Sequence, residues 1–161
     1  MPLMPAKETI NIRSMSEPDL DAVLAIEQVS FPSPWNREHF IQEIHSPLAF
    51  PFVADLAGTI AGYVCLMSLF EEAQIMNIAV AVQQRGMGVG RLLLERAVVV
   101  AREKGAERLV LEVRESNLAA IRLYERLGFA QFSVRKGYYE GKEDALLMEK
   151  TLEEHPCSSL P

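Results

Sequence analysis

Three glycines at alternating positions, Gly86, Gly88 and Gly90, mark the segment of this sequence with the clearest potential for chemistry. They follow an apolar stretch that predicts a buried strand and precede an amphipathic stretch that predicts a helix. Glycine has no Cβ, so such a loop can approach a ligand closely, and the free amides at a helix N-terminus carry partial positive charge. Glycines can also make a mere tight turn, but the flanking strand and helix favour a site for phosphate or diphosphate.

A carboxylate in the middle of a predicted strand is the second candidate. The segment Arg108–Arg114 alternates with period two, which places three apolar side chains on one face and Glu112 on the other. A glutamate inside a strand must face water, a partner or a site. The residues alone leave two interpretations open, an ion pair across the sheet with Arg114 nearby, or a general base.

A dinucleotide-binding loop is an alternative interpretation of the glycines. Its pattern is Gly-x-Gly-x-x-Gly, with an acidic residue about 20 positions downstream at a strand end. Here Arg91 stands where the last glycine belongs. Glu112 does follow at about that distance, but inside the predicted strand instead of at its end. These departures, and the shortness of the chain, disfavour a dehydrogenase.

Periodicity and breaker residues predict the elements that must position these groups. The predicted strands cover residues 8–15, 49–55, 59–70, 74–82, 108–114, 129–136 and 144–152, and the predicted helices cover 16–30, 37–44, 88–104 and 117–127. The helix over 88–104 should bury Leu92, Leu93, Val99 and Val100. Asn36 and Asn117 can cap their helices. The strand–helix–strand segment 74–114 should be parallel and the hairpins antiparallel, which predicts an α/β fold with a mixed sheet and helices on both faces.

Composition narrows the class of protein. The 161 residues, 49% hydrophobic and 24% charged, predict a single domain over 1–161, with an ordered core at about 8–152 and loose termini at 1–7 and 153–161. The net charge of −6 argues against a nucleic-acid binder. No apolar run suits a membrane span or a signal peptide. Cys65, Cys157 and the three histidines lack the spacing of a disulfide framework or metal site, so we expect a cytoplasmic protein without metal.

Two segments resemble the acetyl-CoA-binding motifs of the GNAT N-acetyltransferases. RGMGVG at residues 85–90 is similar to the Q/R-x-x-G-x-G/A signature, and NLAAIRLYERLGF at 117–129 resembles the second motif. Within that superfamily the chain resembles the RimI type, the ribosomal-protein-alanine N-acetyltransferases, in LEVRESN at 111–117, RKGYY at 135–139 and FPSPW at 31–35. Val82 and Gln84 stand where the family usually has a proline and a tyrosine, just before the loop. These departures remove none of the backbone amides that the diphosphate would need.

The resemblance implies a GNAT-like fold, with a mostly antiparallel central sheet and a parallel pair of strands at the acetyl-CoA site. It also implies acetyl-CoA as cosubstrate, and as acceptor the N-terminal alanine of a small-subunit ribosomal protein. Glu112 would be the general base, and Tyr124 would protonate the departing thiolate. The implied cofactor-binding residues are Ile78, Ala79, Val80, Arg85, Gly86, Met87, Gly88, Val89, Gly90, Arg91, Asn117 and Tyr124. On the acceptor side the implied residues are Trp35, Tyr138 and Tyr139.

An N-terminal amine suits a site with one carboxylate as base. The pKa of an α-amino group is about 8, against about 10.4 for lysine, so more of it is neutral at pH 7. A lysine or small amine as acceptor, and a catalytically silent acetyl-CoA-binding module, remain as alternatives, although intact Glu112 and Tyr124 disfavour the silent module. Tyr124 would also suit core packing, and Tyr138 and Tyr139 would suit an ordinary strand.

Overall fold

The computed structural model describes residues 9–152, and the elements predicted from the sequence are all found there. The strands are β1 (Ile10–Ser14), β2 (Ala49–Leu56), β3 (Thr59–Leu69), β4 (Glu72–Val80), β5 (Arg108–Arg114), β6 (Ala130–Tyr139) and β7 (Glu143–Thr151). The helices are α1 (Leu20–Ser30), α2 (Arg37–His45), α3 (Val89–Glu103) and α4 (Leu118–Arg126). The termini that the sequence predicts to be loose, together with Cys157 and His155, lie outside the described residues.

The strands form a mixed sheet with the order β1-β2-β3-β4-β5-β7-β6. β1 pairs with β2, and β7 pairs with both β5 and β6, all antiparallel. β4 and β5 are parallel, with Glu72, Ala73 and Gln74 opposite Arg108, Leu109 and Val110. The parallel pair predicted for the strand–helix–strand segment is therefore confirmed.

The contacts of the described chain group it into two compact units. The first comprises residues 9–65 and 77–96, and the second comprises 66–76 and 97–152. Leu20, Phe40 and Tyr63 are fully buried in the first unit, and Leu109 and Met148 are buried in the second. The single domain over the whole chain stays a prediction.

Capping and turn residues define where the elements begin. The Asn36 side chain accepts from the His39 amide at 2.8 Å, and the Asn117 side chain accepts from the Ala120 amide at 3.2 Å, so both predicted caps are confirmed. Between β2 and β3, Ala57 and Gly58 have φ of 50° and 92°. Two successive positive φ values are typical of the tight turn of a two-residue hairpin.

The first turns of α3 lie against β3 at Gly62. A Cβ on Gly62 would come within 2.8 Å of the Ala79 carbonyl oxygen and 3.2 Å of the Val89 and Leu93 side chains. A glycine at this position therefore lets the start of α3 approach β3 closely. The glycine loop leads directly into α3, so its end is held near β3 as well.

One side-chain prediction for α3 is half wrong. Leu93 and Val100 are buried as predicted, but Leu92 is 36% exposed and Val99 is 48% exposed. The buried stripe runs through Leu93, Ala97 and Ala101. Leu92 and Val99 are seven residues apart and therefore share the opposite side of a helix with 3.6 residues per turn.

Candidate active site

Glu112 lies in the middle of β5, a strand that is hydrogen-bonded to β7 along its whole length. Leu109, Leu111 and Val113 are at most 4% exposed, which confirms the predicted apolar face. The Glu112 side chain is on the other face and is 17% exposed. A carboxylate that is anchored in a paired strand and still reaches solvent can exchange a proton with a bound molecule.

The ion-pair partner of Glu112 is Arg135 of β6, not the neighbouring Arg114 that the sequence suggests. Arg135 Nη1 lies 3.3 Å from Glu112 Oε1, and the arginine side chain is 54% exposed. Arg114 instead makes two hydrogen bonds to the Glu140 carboxylate, at 2.8 and 3.1 Å, and lies 4.1 Å from the centre of the Tyr139 ring. Because the arginine side chain is half-exposed, the Arg135–Glu112 pair contributes little to stability, so its loss on ligand binding would cost little.

Tyr139, at the end of β6, lies near Glu112. Burial raises the pKa of Tyr139 to about 12, and the negative charge of Glu112 adds to that shift. The adjacent Tyr138 is 50% exposed, and its ring stands edge-on to Tyr139 at 5.1 Å between centroids. Both tyrosines that the sequence proposes for the acceptor side therefore lie near the candidate base, Tyr139 through that charge interaction and Tyr138 through Arg135, whose guanidinium carbon is 5.3 Å from the centre of the Tyr138 ring.

Tyr124 projects from α4 and is 6% exposed, with its ring 6.0 Å from that of Phe129. Burial raises the pKa of Tyr124 to about 12, with a further contribution from Tyr139. The phenol therefore keeps its proton at neutral pH and has a proton to donate. The Asn117 cap fixes one end of α4, and the Phe129 amide closes the other by donating to the Tyr124 carbonyl at 2.9 Å.

The second unit thus holds Glu112, Tyr124 and Tyr139; the charge of Glu112 contributes to the raised pKa of Tyr139, and Tyr139 contributes to the raised pKa of Tyr124. Asn117 and Tyr138 belong to the same unit. The sequence identifies these five residues but not Arg135, because its pairing with Glu112 depends on the register of β5, β7 and β6.

The glycine loop lies in the first unit and is exposed. Gly86 and Gly88 have φ of 81° and 82°, a conformation that favours glycine, and a Cβ on either would have no neighbouring atom within 4 Å. The Leu92 amide donates to the Gly88 carbonyl at 3.1 Å, so the amides of residues 89–91 precede the hydrogen-bond ladder of α3. The first amides of a helix, which have no hydrogen-bond partner within it, are the ones available to bind an anion.

The other residues predicted for cofactor and acceptor are also in the first unit. Ile78, Ala79 and Val80 end β4, where Ala79 is 9% exposed and the other two are half-buried. Trp35 is half-buried between α1 and α2, and its ring stacks on His39 at 3.7 Å between centroids. Arg85, Met87 and Arg91 are exposed along the glycine loop, and Arg91 pairs with Glu95 at 2.6 Å.

Within residues 9–152, no group of histidine, cysteine, aspartate and glutamate side chains is arranged to hold a metal ion. No helix among the described residues has the length and apolarity needed to span a membrane.

Comparison with known proteins identifies a family. The family model described as "Acetyltransferase (GNAT) family" matches residues 20–129. The [ribosomal protein bS18]-alanine N-acetyltransferase of Escherichia coli K12 is 36% identical over 140 residues, which cover 85% of this chain and 94% of the relative. A Bacillus subtilis protein provisionally named for the same activity is 41% identical over 145 residues, covering 89% of this chain and 96% of that protein.

A solved structure gives the same indication. The crystal structure of the ribosomal-protein-S18-alanine N-acetyltransferase from Escherichia coli superposes with a TM-score of 0.83 at 33% identity. The match covers 95% of this chain and 99% of that one. The mixed sheet with its parallel β4–β5 pair is therefore the fold of these enzymes.

Proposed function

Because this chain belongs to the GNAT family of acetyltransferases, we propose that it transfers an acetyl group from acetyl-CoA to the N-terminal alanine of a small-subunit ribosomal protein. The names of the relatives from Escherichia coli and Bacillus subtilis support that acceptor. The structural observation that supports the reaction most strongly is Glu112 itself: its carboxylate is 17% exposed, is paired with the half-exposed Arg135, and belongs to the same unit as the buried Tyr124. A candidate base and a candidate acid in one unit suit the transfer of an acyl group.

Glu112 is proposed as the general base. It removes a proton from the α-ammonium group, directly or through one water, and the neutral amine then attacks the thioester carbonyl carbon. The exposed Arg135 would leave the carboxylate as the cationic amine arrives, since both compete for the same oxygens. The new C–N bond forms as the C–S bond breaks, the electron pair of the broken bond goes to sulfur, and the second proton that the nitrogen loses on becoming an amide passes to solvent.

Tyr124 is proposed to stabilise that sulfur. The pKa of Tyr124 is about 12, whereas the pKa of a thiol is about 8.5, so complete proton transfer to the thiolate is unfavourable. A hydrogen bond from the phenol to the developing thiolate still lowers the barrier, because the donor is already in place in a site of low polarity. Protonation of CoA can then be completed by solvent.

The burial of Cys65, the cysteine among the described residues, supports direct transfer without an acetyl-enzyme intermediate. Cys65 is fully buried, and burial raises the pKa of its thiol, so the nucleophilic thiolate is suppressed. Amine and acetyl-CoA would therefore occupy the enzyme at the same time.

The cofactor is proposed to bind largely through backbone. The amides of residues 86–91 suit the diphosphate, and the backbone of Ile78, Ala79 and Val80 suits the pantetheine arm, whose amides can pair as an added strand does. Asn117 and the Arg85 and Arg91 side chains are the proposed polar additions. Trp35, Tyr138 and Tyr139 are proposed to bind the acceptor. We expect the reaction to take place in the cytoplasm.

A peptide panel tests this proposal. The enzyme is incubated with acetyl-CoA and three acceptors: a peptide with a free N-terminal alanine, the same peptide with a blocked N-terminus and a free lysine, and a polyamine. Mass spectrometry should find acetyl on the α-amine of the first peptide alone. Acetylation of the lysine or the polyamine with the alanine peptide unlabelled would overturn the proposed acceptor and leave family membership intact.

A further inference from the structure

Glu27 of α1 is a carboxylate in the core of the first unit, 1% exposed. It lies four residues after Val23 and seven after Leu20, on the stripe of α1 that faces the core, so a polar residue there interrupts the apolar spacing. Burying a carboxylate is costly unless hydrogen bonds compensate it. A hydrophobic residue of similar size would often serve stability as well or better, so the position calls for another explanation.

Three donors from three parts of the chain compensate Glu27. The Trp35 backbone amide donates to Oε2 at 2.9 Å, the Asn77 side-chain amide donates to Oε1 at 2.6 Å, and the Tyr63 hydroxyl also donates to Oε1. Burial, together with the bond to Glu27, raises the pKa of Tyr63, so the hydroxyl keeps the proton it donates. The carboxylate acts only as an acceptor, and it joins residues 8, 36 and 50 positions away.

Trp35 belongs to segment 31–36, which connects α1 to α2 without regular secondary structure. Pro32 and Pro34 have no amide hydrogen to donate, so few backbone donors can fasten this segment. The Trp35 amide donates into the core, to the buried Glu27 carboxylate. Asn77, at the other side of the carboxylate, directly precedes Ile78, Ala79 and Val80.

We propose that Glu27 is a positioning residue for the acceptor, fixing segment 31–36 against Asn77 and thereby against the strand end assigned to acetyl-CoA. Segment 31–36 is linked to the acceptor through Trp35, and that link rests on the proposed function. Glu27 itself touches neither substrate. Its loss should therefore weaken the use of the acceptor, with a smaller effect on acetyl-CoA.

Two substitutions and a matched control test this role. Glu27→Met keeps most of the volume and removes all acceptors, whereas Glu27→Gln keeps one oxygen for the Trp35 amide while the Tyr63 hydroxyl and Asn77 amide reverse their roles. Asp19→Asn is the control, because Asp19 is a buried carboxylate of the same unit that binds Arg13 and Ser16 instead. Steady-state kinetics are measured with the alanine peptide at a temperature where every variant is folded.

Glu27→Met should raise the KM for the peptide about tenfold and change the KM for acetyl-CoA less than about threefold, and Glu27→Gln should restore most of the loss. Trp35 is the one tryptophan in the sequence, so its fluorescence reports on this segment. In Glu27→Met its emission should move to longer wavelength and iodide should quench it more strongly. Neither change should appear in Asp19→Asn.

Unchanged peptide KM and unchanged tryptophan quenching in Glu27→Met would overturn the proposal, and so would equal changes in Asp19→Asn. If Glu27→Met does not fold, hydrogen exchange on the wild type decides: the Trp35 amide should exchange much more slowly than that of Ser33, and equal rates contradict the tether. A wild type that acetylates another amine overturns the proposed acceptor instead, and Glu27 is then judged by quenching and by the KM for that amine.

Discussion

Two carboxylates, Glu27 in the first unit and Glu112 in the second, show how the same side chain serves different ends. Glu27 is fully buried and accepts from three donors that belong to the fold. The Glu112 side chain is 17% exposed and is paired with a half-exposed arginine. The first cannot accept a substrate proton without breaking bonds that hold the core together, whereas the second can exchange its partner for a substrate. Burial and the type of partner, rather than the residue type, therefore distinguish a structural carboxylate from a candidate catalytic one.

The largest expected effect is that of Glu112→Gln, which keeps shape and removes the base. We expect kcat/KM for the alanine peptide to fall by about 10²–10⁴-fold, the usual contribution of general base catalysis. Thiol release from acetyl-CoA measures the rate. A melting temperature close to that of the wild type would exclude unfolding as the cause, and a fall of less than about threefold would remove Glu112 from the mechanism.

Tyr124→Phe should come next, because the ring packing against Phe129 survives and the hydroxyl is lost. We expect kcat to fall about 10–100-fold, with the KM for acetyl-CoA within about twofold of the wild type, since the hydrogen bond to sulfur matters mainly in the transition state. The melting temperature of Tyr124→Phe serves as control, because a value close to that of the wild type excludes lost packing as the cause. Unchanged turnover in Tyr124→Phe would reject its role.

Gly88→Ala extends the comparison to the backbone site of the first unit. A Cβ at φ of 82° is strained although nothing crowds it, so the loop should deform and the KM for acetyl-CoA should rise about fivefold with kcat little changed. Gly58→Ala is a matched control, because Gly58 also has positive φ and open space but lies in the β2–β3 hairpin. Equal kinetic effects of both variants would contradict a binding role for the loop.

The smallest effect on turnover is expected from Asp19→Asn, because Asp19 is a second structural carboxylate of the first unit. The hydrogen bond from Arg13 is the main cause that lowers the pKa of Asp19 from 3.8 to about 2. Such a depressed pKa contributes stability above pH about 4 that is lost as pH falls toward 2. Asp19→Asn should therefore lower the free energy of unfolding at pH 7 by about 2 kcal/mol. In urea titrations the difference from the wild type should shrink below pH 4, and a constant difference would contradict the linkage.

Local patterns explain what the sequence predicts well. The caps at Asn36 and Asn117 and the alternation in β5 depend on neighbouring residues, and all are confirmed. The partner of Glu112 depends on β6, whose register against β7 shifts between Gln131 and Ser133, so no local pattern gives it. The donors to Glu27 are scattered along the chain, yet its place on the apolar stripe of α1 is a signal that the sequence does contain.

In the proposed mechanism, Glu112 receives the proton of the amine while Tyr124 faces the sulfur. A crystal structure with a conjugate of CoA and an alanine peptide, joined through an acetyl linker, tests it most directly. We predict that the Glu112 carboxylate lies within hydrogen-bonding distance of the alanine nitrogen or is joined to it by one water, with the Tyr124 hydroxyl on the sulfur. A conjugate bound with both groups remote from the linker would contradict the account.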